Sequence, residues 1–197
     1  MHTTNKAAML AATAVLGTSA GVGLAIAGDD APEPWQPQRT DTAVAATAEQ
    51  KAAFATLGAE PGAGDADRTL IGRLAERSQI GIDADGARVV GATATGPVWL
   101  APANGGVCVA IEDTEDGSIG TACEATDDVV ARGTTVGDGT RIYGVAPDGV
   151  EAVTVTPGDG PPRSVAVSER GLYVLPSQDA TVTLDGPDGS ASFAVAG

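Results

Sequence analysis

The sequence predicts a mainly β fold, with an antiparallel β-sandwich or barrel-like domain over residues 80–197. From Ile80 onward, short runs rich in Val, Ile and Thr are separated by Gly, Pro and Asp pairs at roughly even spacing, which is typical of such domains. Apolar and polar residues also alternate within a run, as in Val153-Thr154-Val155-Thr156. This alternation gives a strand one buried face and one wet face.

The predicted strands follow these runs and lie at residues 88–95, 98–101, 107–112, 118–123, 141–145, 152–156, 163–167, 172–175, 181–184 and 192–195. Turn sequences of the Asn-Gly or Asp-Gly type separate many of them, at residues 104–106, 116–117, 138–139, 148–149, 159–160 and 188–189. Because Asp-Gly and Asn-Gly favour the tight turns of hairpins, these positions are expected to reverse the chain.

Two short helices are predicted within residues 47–79, ahead of the β domain. Thr47-Ala48-Glu49-Gln50 has the pattern of a capping box, and this helix ends at Gly58. A second helix is expected to begin at Asp65 as its cap and to run to Ser78. Both are too short to be stable alone, so each is expected to dock on the larger domain.

The N-terminal residues predict export from the cell. Ala7 to Ala27 contains no charged residue, and Ala25-Ile26-Ala27 fits a signal peptidase site, so residues 1–27 form a signal peptide. The alternative is an uncleaved anchor, because the apolar run is long enough to span a bilayer. Residues 28–46, which contain three prolines, are predicted to be a flexible linker. The expected location is extracellular or at the cell surface, or anchored by a single span.

The charge balance excludes one large class of partners. The chain has 11 Lys and Arg against 26 Asp and Glu, and its formal net charge is -15. Such a chain repels phosphate backbones, so nucleic acid is not an expected partner. There is also no polybasic segment that would bind a membrane surface.

The residue types present also exclude the common combinations of catalytic residues. The single histidine is His2, within the signal segment, so Ser-His-Asp and Cys-His catalysis are excluded after cleavage. Zinc and copper sites lose their usual ligand for the same reason. A pair of carboxylates could act as in a glycosidase, but no groove of aromatic residues is apparent to hold a sugar. No catalytic, cofactor-binding or metal-binding residue is therefore predicted, and no cofactor.

Two Asp-rich sequences resemble calcium loops at first sight. They are Asp83-Ala84-Asp85-Gly86 and Asp185-Gly186-Pro187-Asp188-Gly189. Both lack the ladder of alternating acids and the closing glutamate that a calcium loop needs. Hairpin turns are the preferred interpretation of both sequences.

The two cysteines predict a structural disulfide. Cys108 and Cys123 lie on successive predicted strands of an exported chain. If the turn is centred between Glu115 and Asp116, the two cysteines face each other. A redox pair would have C-x-x-C spacing and a lowered pKa, and neither is indicated here.

Pro147-Asp148-Gly149 is predicted to be a structural turn between the strands at 141–145 and 152–156. Proline presets φ for the second turn position, and Asp148 is expected to accept backbone N–H groups of the same turn. Gly149 can adopt the left-handed conformation that follows a type I turn. Each residue then has a place in hairpin geometry, without a binding role.

Several of these segments together resemble a set of uncharacterised exported β-rich proteins of high-GC Gram-positive (actinobacterial) bacteria. They are Val98-Trp99-Leu100-Ala101-Pro102, Gly106-Val107-Cys108, Cys123, and the run from Tyr143 to Pro147-Asp148-Gly149-Val150. Those proteins often carry an Asp-Asn pair before an aromatic residue in a late strand, where this chain has Ser168 to Tyr173. The resemblance implies the fold and the compartment, and it implies no activity.

The function expected from these observations is that of a non-enzymatic exported envelope or extracellular β-domain, with a protein-binding or accessory role. The partner is expected to be another protein, whose identity the sequence leaves open. Two alternatives remain, namely an exported ligand carrier with an apolar pocket and a hydrolase that uses only carboxylates.

Overall fold

Eleven β-strands and three α-helices make up the part of the chain that the computed structural model describes, residues 35–36, 39–112, 118–187 and 189–196. The helices are α1 (Ala48–Ala53), α2 (Thr69–Ser78) and α3 (Thr126–Arg132). The strands are β1 (Arg88–Ala92), β2 (Pro97–Ala103), β3 (Gly106–Glu112), β4 (Ile119–Ala125), β5 (Thr134–Gly137), β6 (Arg141–Val145), β7 (Ala152–Pro157), β8 (Arg163–Val165), β9 (Leu172–Pro176), β10 (Ala180–Gly186) and β11 (Gly189–Val195). The mainly β prediction is confirmed, whereas the predicted signal segment, residues 1–27, lies outside the described residues.

The strands form three antiparallel sheets. The first sheet has the order β1-β2-β3-β4, the second β5-β6-β9, and the third β11-β10-β7-β8. Within the described residues, the first and last strands of each sheet do not pair with each other, so each sheet is open. The arrangement is thus sandwich-like, and the barrel form of the prediction is not confirmed.

The three-stranded sheet has a hydrophobic core on each side. Ile142 and Tyr143 are adjacent on β6, so their side chains point to opposite faces. The core shared with the first sheet includes Leu100, Val107, Val109, Tyr143 and Val145. The core shared with the third sheet includes Ile142, Val153, Tyr173, Val182 and Leu184. The three sheets therefore stack as three layers, with β5-β6-β9 in the middle.

A third cluster covers the outer face of the first sheet. Trp99 and Cys108 are buried there against Ile71 of α2 and Ile82. Because the other face of the same sheet lies in the first core, β2 is buried over nearly its whole length. This differs from the expected alternation of buried and wet residues.

The helix α1 begins as predicted. Thr47 Oγ1 accepts a hydrogen bond from Gln50 N, and Gln50 Oε1 accepts one from Thr47 N, which completes the capping box. The α-helix ends at Ala53 and continues as a 3₁₀ turn, Ala55–Gly58, to the predicted end of the helix.

The predicted start of α2 is wrong. Asp65 belongs to a separate 3₁₀ turn, and its carboxylate accepts hydrogen bonds from Gly62 N at 2.6 Å and from Val89 N at 2.7 Å. The helix begins at Thr69, whose N–H is bound by Asp67 Oδ1. The buried carboxylate of Asp65 thus binds the backbone of β1 and does not cap α2.

Two elements, α3 and β5, were not predicted from the sequence. Asp127 and Asp128 in the first turn of α3 and Arg132 in its last turn complement the helix dipole. Gly133 follows at φ 68°, a conformation that favours glycine. These signals could have identified the helix, but its adjacent valines, 129 and 130, favour a strand. The strand β5 has only four residues and ends on a glycine.

Part of the segment predicted as a linker lies along the domain. Thr40 N donates to Gln79 O at 2.8 Å, and Val44 N donates to Gly81 O at 2.9 Å. Thr40 also forms a parallel bridge with Ile80.

Among the described helices, none is both long and apolar enough to cross a membrane.

Candidate functional site

The predicted disulfide is present between β3 and β4. The bond joins Cys108 Sγ and Cys123 Sγ at 2.06 Å, and the two residues are direct partners in the antiparallel ladder. Cys108 is fully buried, against the alanines of the outer cluster. The predicted turn centre at Glu115 and Asp116 lies outside the described residues. The bond links two strands that also pair along their whole length.

The turn at Pro147-Asp148-Gly149 does not form a hairpin. The strand before it, β6, pairs with β5 and β9, whereas the strand after it, β7, pairs with β8 and β10. The turn therefore carries the chain from the middle sheet to the third sheet, and the hairpin prediction is wrong. Gly149 has φ 87°, the left-handed conformation expected at this position.

Asp148 binds a distant part of the chain rather than its own turn. Its Oδ2 accepts a hydrogen bond from Ala55 N, and its backbone N donates to Ala53 O at 2.8 Å. Ala53 ends α1, and Ala55 begins the 3₁₀ turn that follows. Asp148 thus ties the helical segment to the sheets. Sequence reasoning missed this role because 93 positions separate Asp148 from Ala55.

The two Asp-rich sequences have different structures. Asp83 Oδ1 accepts a hydrogen bond from Asp85 N, and Asp85 pairs with Arg68 at 3.3 Å, so the carboxylates there bind protein groups. This turn precedes β1 and joins no paired strands, so the hairpin interpretation is wrong for it. The second sequence does connect the paired strands β10 and β11, although Asp188 lies outside the described residues. Within the described ranges, no three His, Cys, Asp or Glu residues are placed to hold a metal ion.

A polar cluster that the sequence did not indicate lies where β4, α3, β5 and β9 meet. Arg132 Nη2 lies 3.2 Å from Glu124 Oε2 and 3.8 Å from Asp128 Oδ1. Among the described residues around Glu124, Arg132 Nε and Tyr173 Oη are buried without a hydrogen-bond partner, and the hydroxyl of Thr134 lies beside the Glu124 carboxylate. No short motif connects these positions, so only the fold brings them together.

Burial controls the protonation of this cluster. Desolvation raises the pKa of Glu124, the opposing charge of Arg132 offsets part of this, and the carboxylate of Asp128 raises it further. Burial also raises the pKa of Tyr173, and Glu124 adds to that shift. A carboxyl with a raised pKa can act as a general acid. However, the Arg132 guanidinium contacts both carboxylates, whereas a glycosidase pair leaves the space between its carboxylates to the substrate. The geometry is that of an ion cluster that fastens α3 to β4.

Grooves on the surface of the described residues include one beside α2 and one beside α1. One has a volume of about 270 Å³ and lies between α2 and the start of β4, lined by Leu70, Arg73, Leu74, Arg77, Ser118 and Ile119. The other, of about 340 Å³, includes the charged residues Lys51, Glu60, Asp83, Asp85 and Arg88. Carriers of apolar ligands need a cavity lined mainly by apolar side chains, and the second groove does not have that lining.

No protein-family model, curated protein or solved structure matches this chain.

Proposed function

We propose that this chain is a non-enzymatic exported domain, at the cell surface or outside the cell, that binds another protein or acts as an accessory module. The observation that carries the proposal is the Cys108–Cys123 disulfide within a buried sheet. Structural disulfides persist in oxidising compartments and are rare in the cytosol. The uncharged run from Ala7 to Ala27 supports export independently.

The signal is proposed to be cleaved after Ala27, so that the mature chain begins at Gly28. Sequencing the N-terminus of protein recovered from the medium and from membranes tests this. A chain that begins at Gly28 supports the signal peptide. An intact segment in the membrane fraction supports the alternative, a domain anchored by a single span.

The groove along α2 is the surface that we propose for partner binding. Arg73 and Arg77 are exposed and four residues apart on one helix face, and neither forms an ion pair with a described residue. The groove between them and β4 also includes Leu70, Leu74 and Ile119. A protein segment with a carboxylate next to an apolar side chain would match this combination.

Site-specific photo-crosslinking on intact cells tests the surface. A photoreactive residue at Glu76, which is exposed on α2 between the two arginines, should give a discrete protein adduct. The double variant Arg73→Ala/Arg77→Ala should lose that adduct. Arg163→Ala, which removes an exposed arginine on β8, should keep it. A missing adduct in the wild-type protein, or equal adducts in both variants, would contradict the proposed surface.

The alternatives lead to different results in a second measurement. Native mass spectrometry of the exported protein detects a carried small molecule as a constant mass increment, which would favour the ligand carrier. Hydrolysis of a panel of glycosides and esters that is lost in Glu124→Gln would favour the carboxylate hydrolase. The proposed function predicts neither outcome.

A further inference from the structure

Trp35 lies against the hairpin between β2 and β3. Its half-buried indole covers the glycine pair at positions 105 and 106. A Cβ atom added to Gly106 would lie closest to the backbone oxygen of Glu124, and it would also lie 2.6 Å from Trp35 Cη2 and 2.8 Å from Cζ2. A Cβ atom added to Gly105 would lie 3.8 Å from Trp35 Nε1. The ring therefore rests on bare backbone, in space that any side chain at position 106 would occupy.

Hydrogen bonds from other elements fix the backbone that lies beneath the Trp35 ring. Gly106 O accepts a hydrogen bond from Gln50 Nε2 at 2.7 Å, and Gln50 also bonds Thr126 Oγ1 at 3.1 Å. Gly105 O accepts one from Thr126 N at 3.0 Å. Gly105 itself has φ 73°, a conformation that favours glycine. Helices α1 and α3 thus fix the surface that the indole contacts.

The sequence around Trp35 suits an extended ligand. Pro34 and Pro37 flank Trp35-Gln36, and proline favours extended or polyproline conformations in itself and in the residue before it. Trp35 is also the first aromatic residue of the chain. Proline-rich segments are commonly recognised through aromatic contacts with a preformed surface. Here the aromatic group belongs to the segment, and the surface is glycine backbone.

We propose that Gly105 and Gly106 form an indole-binding platform whose occupant is Trp35 of the same chain, and that this contact clamps the N-terminal segment to the domain. The clamp fixes the point at which the preceding chain leaves the domain, beside the β2–β3 hairpin. Eight Cα–Cα steps lead from Ala27 to Trp35 and can span at most about 29 Å. If residues 1–27 remain in a membrane, which rests on the anchored form of the proposed function, the hairpin is held within about that distance of it.

Limited trypsin digestion of the mature chain tests the clamp. Arg39 is exposed and follows Trp35 closely, so release of the segment should expose the bond after Arg39. We expect Trp35→Ala to be cut there at least several times faster than the wild-type protein, and Trp35→Phe to stay close to wild type. Cleavage after Arg163 on β8 should be the same in all three proteins and reports on overall stability. Equal rates after Arg39 in all three proteins overturn the clamp.

A peptide added in trans tests the platform separately. The peptide Glu-Pro-Trp-Gln-Pro-Gln, which has the sequence of residues 33–38, should bind Trp35→Ala and not the wild-type protein, whose platform is filled. The same peptide with alanine in place of tryptophan should bind neither. A short tether supplies an effective concentration in the millimolar range, so no saturable binding to Trp35→Ala up to several millimolar overturns the platform. Equal binding to both proteins overturns it as well.

Sedimentation of the wild-type protein distinguishes the same-chain contact from exchange between two copies. We expect a monomer at all concentrations. A concentration-dependent dimer that Trp35→Ala abolishes would assign the indole to a second copy and overturn the clamp. These readouts are independent of α2, so failure of the α2 proposal does not affect them.

Discussion

Removing the Cys108–Cys123 bridge should lower the free energy of unfolding by about 3 kcal/mol in the chain-entropy model, because the bond closes a loop with a sequence separation of 15. The loss comes mainly from the unfolded state, which gains conformations when the loop opens. In the native state the two strands remain paired over their whole length. For a chain of 150–250 residues, this loss corresponds to a decrease in Tm of roughly 6–12 °C.

The double variant Cys108→Ala/Cys123→Ala adds a packing term. Cys108 is fully buried, so the missing sulfur atoms leave a small void that costs on the order of 1 kcal/mol more. The wild-type protein refolded in reductant keeps the sulfur atoms and loses only the bond. The difference between oxidised and reduced wild type therefore isolates the chain-entropy term.

Urea unfolding at equilibrium, followed by circular dichroism, measures all three states. We expect the free energy of unfolding to be highest for the oxidised wild type, lower for the reduced wild type and lowest for the double alanine variant. Reductant should not change the stability of the double alanine variant. A gap between the oxidised and reduced wild type below about 1 kcal/mol would show that the loop entropy estimate does not apply here. Labelling of both cysteines in the exported protein without reductant would contradict the bridge itself.

Three further substitutions test individual contacts by urea unfolding. Burial raises the pKa of Glu124, so its contribution to stability is complete below its ordinary value of 4.5 and is lost as the pH rises through the folded pKa. Glu124→Gln should therefore reduce the loss of stability as the pH rises above 4.5. Gly144→Ala should cost about 1–3 kcal/mol, because a Cβ atom there overlaps the buried ring of Tyr173. Asp148→Ala should cost about 1 kcal/mol, since it removes the acceptor for Ala55 N–H.

Each of these predictions has a matched control. Glu151→Gln makes the same substitution at an exposed carboxylate and is the matched control for the pH series. Gly144→Ala should cost less in a Tyr173→Ala background, because the overlap is then absent. Asp148→Asn keeps a side-chain oxygen and should stay close to wild type. Three outcomes would contradict the assigned contacts. The first is the same change of stability with pH in Glu124→Gln and in the wild type. The others are additive losses of stability at positions 144 and 173, and equal losses in Asp148→Ala and Asp148→Asn.

Local patterns predicted much of this fold. Strands such as β6 and β7 were found within one residue of their ends, because apolar residues and turn residues mark them directly. The facing of Cys108 and Cys123 also follows from local spacing within one hairpin. The short strand β5 and the helix α3 were missed, since their residues carry weak or conflicting propensities and tertiary contacts stabilise them.

Contacts between distant elements could not be predicted in the same way. Asp148 fits a turn by its sequence neighbours, and its bond to Ala55 depends on where α1 docks. The cluster around Glu124 and Tyr173 exists only because four elements converge. The hairpin prediction at Pro147 was wrong for a related reason: a turn sequence specifies reversal of the chain locally but not which sheet the next strand joins.

One packing device explains how a chain with only 3% aromatic residues builds three sheet layers. Large side chains lie over strand glycines, where any Cβ atom would overlap them: Tyr173 covers Gly144, Leu172 covers Gly91, and Trp35 covers Gly106. Glycine in a strand usually weakens the strand and often marks close approach of another group. Both effects apply in this protein. Each of these glycines has no side chain of its own to pack, and a large neighbouring side chain occupies that space instead. The glycines at positions 91, 106 and 144 are therefore part of the packing, and replacing Gly91 or Gly144 should be as damaging as truncating the side chain that covers it.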